Sequence, residues 1–196
     1  MACYPHVQAL FIHTNLLKMK TIKYFILTLF ILTGSNLFAQ NISNAELQVT
    51  GLTCSMCSKA TETSLRTLDF IQDIKPDLNK NLFAITFKRD KNVNIDLIRK
   101  KVEEAGFSVG KLSATFNFKN AALDDNGRTE VNGTHYQIVG AGQKVLNGAV
   151  KATVIDKNFI PNNAFKKNVA AVKSNAYASG SAVIEGRKTR VYHLSI

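Results

Sequence analysis

Between Asn44 and Thr115 the apolar residues change their spacing again and again, and few folds satisfy that order. Leu47 and Val49 alternate with Glu46, Gln48 and Thr50, the period of a half-buried strand. Ala60, Ser64 and Leu68 then follow Cys57 at helical spacing, with Thr61 and Leu65 beside them. Ile74, Pro76 and Leu78 alternate with charged residues, and Asn79-Lys80-Asn81 turns the chain into a second alternation at Phe83, Ile85 and Phe87. Pro76 has no N–H for a ladder, which predicts a sheet edge for its strand. Asn94 is a good N-cap for a helix presenting Ile95, Ile98, Val102 and Ala105, and Gly106 ends it. Leu112, Ala114, Phe116 and Phe118 close the series as a strand. The order β-α-β-β-α-β predicts an α+β fold: a four-stranded antiparallel sheet with both helices on one face.

The stretch 119–196 has another character. After the turn-rich Asp124-Asp125-Asn126-Gly127 it reads mostly as strands, at Tyr136 and Ile138, at Val150, Ala152 and Val154, and at Ala182 and Ile184. Glu185-Gly186-Arg187-Lys188 turns the last of these into Tyr192, Leu194 and Ile196. Pro161 suits the first turn of an inserted helix reaching Val172, with Ala164, Phe165, Val169 and Val172 on one face. Such a segment predicts a second, β-rich domain, a small barrel of the OB type.

Ahead of both lies a leader. Met19-Lys20-Thr21-Ile22-Lys23 is basic, Tyr24 to Leu32 is apolar, and Gly34 to Ala39 is a short exit. That is the layout of a secretory signal peptide over 19–39, cleaved after Ala39, and it predicts a periplasmic or secreted protein. The apolar run is about half of the roughly 20 residues a membrane span needs, so no transmembrane anchor is expected after cleavage. Residues 1–18 precede a complete signal and read as an upstream extension; Cys3, His6 and His13 go with it. Of the 25 basic side chains, Lys18, Lys20 and Lys23 lie before residue 40 and no acidic one does, which leaves 22 against 14. The surplus is dispersed and reads as a solvated surface; export makes nucleic acid the poorest match to it.

Once the leader is removed, Cys54 and Cys57 are the two remaining cysteines, in the loop between the first strand and the first helix. Sulfurs three positions apart converge when the first lies in a loop and the second opens a helix, whose N-terminal partial charge favours thiolate. Two thiolates are too few for a closed structural zinc site. They suit Cu(I), a soft ion, and an incomplete shell suits a carrier because a partner's thiolates can enter. The same spacing also serves thiol-disulfide exchange, which persists as an alternative in an exported protein, as does a plain structural disulfide.

Gly51-Leu52-Thr53-Cys54-Ser55-Met56-Cys57 resembles the GMTCxxC signature of the heavy-metal-associated domain, and Ala105-Gly106-Phe107 matches the end of that family's second helix. The resemblance covers residues 44–115 and implies a ferredoxin-like fold that binds one ion between Cys54 and Cys57. It also implies loop-shaping roles for Gly51, Leu52 and Thr53, and Phe107 as a shield on the rim. Leu52 stands where the family usually has methionine, and Phe107 where bacterial copper carriers often have tyrosine. Thr53 stands where zinc-preferring relatives often carry aspartate, so the resemblance leans to Cu(I) over Hg(II) or Zn(II). A metal-transporting ATPase is the partner it suggests.

Other candidates are weaker. Met56 reads as an exposed loop-tip side chain before it reads as a thioether ligand. His135 and His193 are out of phase with their apolar neighbours and should point away from the second segment's core; a metal site between them requires that their strands pair. Asp124 and Asp125 look like turn chemistry. No catalytic constellation appears, so the expectation is a metal carrier and not an enzyme. A third reading makes the chain a cell-envelope interaction module regulated by metal.

Overall fold

A computed structural model describes residues 41–196. The upstream extension, the leader and Cys3, His6 and His13 lie outside the described residues. β1 (Ile42–Thr50) leads into α1 (Ser55–Arg66), followed by β2 (Ile71–Asp77), β3 (Leu82–Phe87), α2 (Ile95–Glu104) and β4 (Ser108–Ala122). These strands lie in the order β2-β3-β1-β4, all pairs antiparallel. This is the β-α-β-β-α-β arrangement expected from the spacing. Pro76 sits on β2 at the end of that order.

Two details depart from the periodic reading. β2 buries Ile71 and Ile74, while Leu78 lies past the strand and is 54% exposed. A register shift between Ile71 and Asp73 breaks the two-residue period there. α1 buries Ser58, Thr61, Glu62 and Leu65, leaving Ala60 exposed. The face is set by polar side chains with internal partners: Thr61 Oγ1 donates to the Cys57 carbonyl at 3.0 Å, and Ser64 Oγ to the Lys101 carbonyl of α2 at 2.8 Å.

The second half adds β5 (Arg128–Val131), β6 (Thr134–Ile138), β7 (Val145–Val154), α3 (Asn162–Val172), α4 (Asn175–Ser179), β8 (Ser181–Ile184) and β9 (Arg187–Ser195). Pro161 is the N-cap of α3, one position earlier than expected. The division expected near Lys119 falls inside β4, which is 15 residues long. β4 gives one edge to β1 and the other to β7, from Leu112↔Val154 to Ala122↔Val145. An edge that an isolated four-stranded sheet would leave open is thereby covered. The path continues β4-β7-β9-β6-β5, with β6 and β9 parallel and β8 paired to β9. Among the described residues no ladder pairs β5 with β4.

One apolar cluster runs through both halves, from Leu47, Phe83 and Ile98 through Phe116 and Phe118 to Tyr136, Tyr192 and Leu194. The Tyr136 ring meets Phe116 edge-on at 5.4 Å between centroids, so the core has no seam at the expected boundary. No described helix is long and apolar enough to cross a membrane.

Candidate metal centre

β1 delivers the chain to Gly51, whose φ of +92° is a conformation that residues with a Cβ rarely adopt. The turn drops Leu52 into the core at 9% exposure and leaves Thr53 on the surface. Leucine thus fills the space beneath the loop. Phe107, at the start of the return from α2, packs beside the loop: a Cβ on Gly51 would stand 3.5 Å from its Cδ1. Gly106 makes that approach with φ +88°, after Ala105 caps α2.

Cys54 is the N-cap of α1. Its Sγ accepts the Cys57 N–H at 3.2 Å, and its carbonyl accepts the Ser58 N–H at 3.2 Å. One sulfur therefore occupies the place of a capping oxygen, where the helix N–H groups concentrate positive potential. The two Cα atoms are 5.3 Å apart and the sulfurs are joined as a disulfide. Cys54 is exposed, whereas Cys57 is partly buried and packs against the core. Met56 is 75% exposed, in keeping with a solvent-facing side chain. A shallow cleft beside Cys54 is lined by Leu52, Thr53, Ser55, Ser58, Leu78 and Asn81, none of them charged. Leu78, brought there by the β2–β3 turn, had no signal in the sequence beyond its apolar character.

The nearest carboxylate on α1 is engaged. Glu62 accepts from Arg66 Nε at 2.8 Å and from Lys59 Nζ at 3.3 Å. The Arg66 guanidinium, and Lys59 after it, hold its carboxyl below the usual range against the opposing effect of burial. Among the described residues no three His, Cys, Asp or Glu side chains cluster as a metal site. Two thiolates at a helix start, once reduced, fit a two-coordinate soft ion and do not fit a closed tetrahedral zinc site.

His135 and His193 do lie on paired strands and stay out of the apolar cluster that holds Tyr136 and Leu194, but His193, expected to point away from the core, is fully buried. They still do not converge, since His193 stands opposite Gln137 and His135 opposite Val191. Tyr177 of α4 packs on His193, the rings edge-on at 5.0 Å, and Nδ1 pairs with Asp156 at 2.7 Å. Asp124 closes a turn by accepting the N–H groups of Asn126 and Arg128, both at 2.8 Å, and Asp125 accepts from Gln143.

The sequence matches the heavy-metal-associated domain over residues 46–108. It is 35% identical over 65 residues to the copper chaperone CopZ of Bacillus subtilis (strain 168), covering 33% of this chain and 93% of that protein. It is 30% identical over 63 residues to a probable copper-exporting P-type ATPase of Archaeoglobus fulgidus, covering 32% of this chain; the chain spans 8% of that enzyme's length. Among solved structures, a CopZ metallochaperone aligns with a TM-score of 0.32 and 24% identity over 34% of this chain and 98% of its own. The match to CopZ, which runs over 93% of that protein and falls on the segment the family model matches, makes the chain a member of the heavy-metal-associated domain family.

Proposed function

We propose that this protein is an exported carrier of a soft metal ion, Cu(I), held between the Sγ atoms of Cys54 and Cys57 and passed on by thiolate exchange. The observation that carries this reading is the placement of two sulfurs, and no third protein ligand among the described residues, at the exposed N-terminus of α1. A partner's thiolate can enter such a shell before either resident sulfur leaves, so the ion is never released to water. Gly51, Leu52 and Thr53 shape the loop and Phe107 shields its rim. The receiving protein in this reading is a metal-transporting ATPase, or another metal-accepting protein of the cell envelope, which supplies its own sulfurs. Nothing in the arrangement supports catalysis on the bound ion. Export rests on the leader at 19–39. In the second half, the strand order β4-β7-β9-β6-β5 with its parallel β6–β9 pair supports an OB-like reading, as a wall that recognises an envelope partner.

The test is a Cu(I) titration of the reduced mature protein against a chromophoric chelator. One equivalent is expected to bind, and Cys57→Ser is expected to abolish it. Unchanged stoichiometry in that variant would refute the site. A second reading, thiol-disulfide exchange, draws on the joined sulfurs; turnover of insulin disulfides by the wild-type protein would favour it.

A further inference from the structure

We propose that the surface built by α3, α4 and the β8–β9 hairpin docks onto an anionic lipid bilayer. This gives a chemistry to the envelope partner read above for the second half, and it rests on that reading only for the place where protein and lipid meet.

The ion pairs locate the basic surplus, which composition alone left dispersed. In the first half the cations are matched locally: Arg99, Lys100 and Lys101 of α2 pair with Glu103 and Glu104, and Lys59 and Arg66 of α1 with Glu62. From Lys157 to Ile184 the chain has no Asp or Glu, and Glu185 is the one acidic side chain beyond Asp156. Lys157, Lys166, Lys167, Lys173, Arg187 and Lys188 are all exposed. Among the described residues beyond Lys151, only Arg190 and His193 enter ion pairs, so these six have none.

The elements that carry them are contiguous: α3 packs on α4, and α4 on β8. α3 turns Phe165 inward, against the Tyr177 ring of α4 at 5.3 Å between centroids, and leaves Lys166 and Lys167 in solvent. Lys173, two turns after Lys166 and so near the same side of the helix, ends it with φ +48°. In the hairpin Lys188 stands opposite Val183. Opposed residues of an antiparallel pair share a face, so Val183, 73% exposed, sits beside that ammonium group.

A face of one charge repels itself, and an anionic partner offsets that cost. An acidic peptide adding to the sheet would need an open edge on β8. That strand has four residues, and Ser179 Oγ already engages both the N–H and the C=O of Ser181, at 3.4 and 3.0 Å. Cations spread over separate elements, around one exposed aliphatic side chain, match instead the diffuse charge and apolar boundary of lipid headgroups.

The test is flotation of the protein cleaved after Ala39 with vesicles of phosphatidylcholine containing about 30% phosphatidylglycerol, against vesicles of phosphatidylcholine alone. Binding is expected to be at least about tenfold stronger to the anionic vesicles. It is expected to be lost between about 0.05 and 0.5 M salt, as the screening length shrinks about threefold. Each lysine at such a surface strengthens binding by roughly fivefold, so Lys166→Gln, Lys167→Gln and Lys173→Gln together are expected to weaken it at least about tenfold. A control removes the same charge at the other end of the strand order, on β2 and just after β3. Lys75→Gln, Lys88→Gln and Arg89→Gln together are expected to stay within about twofold of wild type. Every substituted side chain is exposed, and the thermal midpoint checks that both variants fold. Equal losses in the two variants overturn the assignment of the surface, and indifference to phosphatidylglycerol overturns the proposal outright. Capture of poly-glutamate by protein that ignores the vesicles overturns it too, in favour of an acidic polypeptide. No metal enters the measurement, so its failure and the failure of the Cu(I) titration are separate results.

Discussion

Arg190 on β9 donates through Nε to the carboxylate of Asp96, in the first turn of α2, at 3.0 Å and across 94 positions of sequence. The same guanidinium reaches Asp156 through Nη2 at 3.0 Å and the carbonyls of Gly180 and Val191 through Nη1, and it lies 4.1 Å from the centre of the Tyr192 ring. Tyr192 adds an O–H bond to Asp96 at 3.0 Å. The second half of the chain thus holds the start of the helix whose other end leads to Phe107 and the Cys54 loop. Burial alone would lower the pKa of Arg190, but the carboxylates of Asp96 and Asp156 hold it above its ordinary value.

Removing that cation strands a carboxylate. Asp156 is 2% exposed and would keep only the N–H and ring nitrogen of His193 as partners. Arg190→Met is expected to destabilise the fold by roughly 2–4 kcal/mol, the lower part of the range for a broken buried pair because Arg190 itself is one-third exposed. Arg190→Lys is expected to recover little, since a single ammonium cannot serve two carboxylates and two carbonyls together. Urea denaturation measures both, and a loss under about 1 kcal/mol for Arg190→Met would show the cluster to be a surface ornament.

Acid acts on α1 through Glu62. Its pKa is depressed in the folded protein, chiefly by Arg66, so the stability it contributes is present above the ordinary carboxylate range. That contribution disappears as the pH falls through the folded value. Glu62→Gln is therefore expected to lower the midpoint of thermal unfolding at neutral pH and to flatten its decline on acidification. Parallel pH profiles for the two proteins would rule this out.

Alkali acts on the shared core. Burial, ahead of any neighbour, raises the pKa of Tyr136, and burial followed by the Asp96 carboxylate raises that of Tyr192. A folded pKa above the unfolded value of about 10 means that the stabilising contribution is complete below that pH and is lost as the pH climbs above it. Burial raises the pKa of Tyr177 as well, so phenolate absorbance of the protein cleaved after Ala39 should show its three tyrosines, Tyr136, Tyr177 and Tyr192, ionising only with unfolding. Smooth titration of the three ahead of unfolding would contradict the burial of these rings.

The residues of the first half announced their fold because each strand and helix there is short, amphipathic and bounded by a cap or turn. Asn94 and Gly106 mark α2, and the Cys54 loop is a local motif. What could not be read is non-local. The β4–β7 ladder joins Leu112 to Val154 and Phe116 to Val150, and no local pattern in β4 shows that its outer edge is taken. The phase of His193 was legible, but its cover was not, because Tyr177 and Phe165 arrive from helices inserted between the strands. On α1 the sequence suggested Ala60 and Ser64 as the inward face with Thr61 and Leu65 beside them; the structure buries Thr61 and Leu65, exposes Ala60, and adds Ser58 and Glu62, the last a charged side chain whose partner Arg66 lies on the same helix. Periodicity ranks residues by their hydrophobicity, so it passes over buried positions that are satisfied by hydrogen bonds.

The loop itself offers a test of whether backbone or packing sets its shape. Gly51 has φ +92°, and a Cβ there would meet Phe107 Cδ1 at 3.5 Å, an ordinary van der Waals contact. Sterics against Phe107 therefore contribute little, and the cost of Gly51→Ala is conformational, about 1–2 kcal/mol for forcing a Cβ into left-handed backbone. Gly51→Asn should cost less, because asparagine enters this region more readily. If the account is right, Phe107→Ala does not rescue Gly51→Ala, and the coupling between the two changes in a double-mutant cycle stays below about 0.5 kcal/mol. A large favourable coupling would mean that the ring, and not the backbone, excludes a side chain at the turn. It would also make Phe107 a determinant of where Cys54 sits, since the turn at Gly51 sets the path of Leu52 and Thr53 into the N-cap of α1.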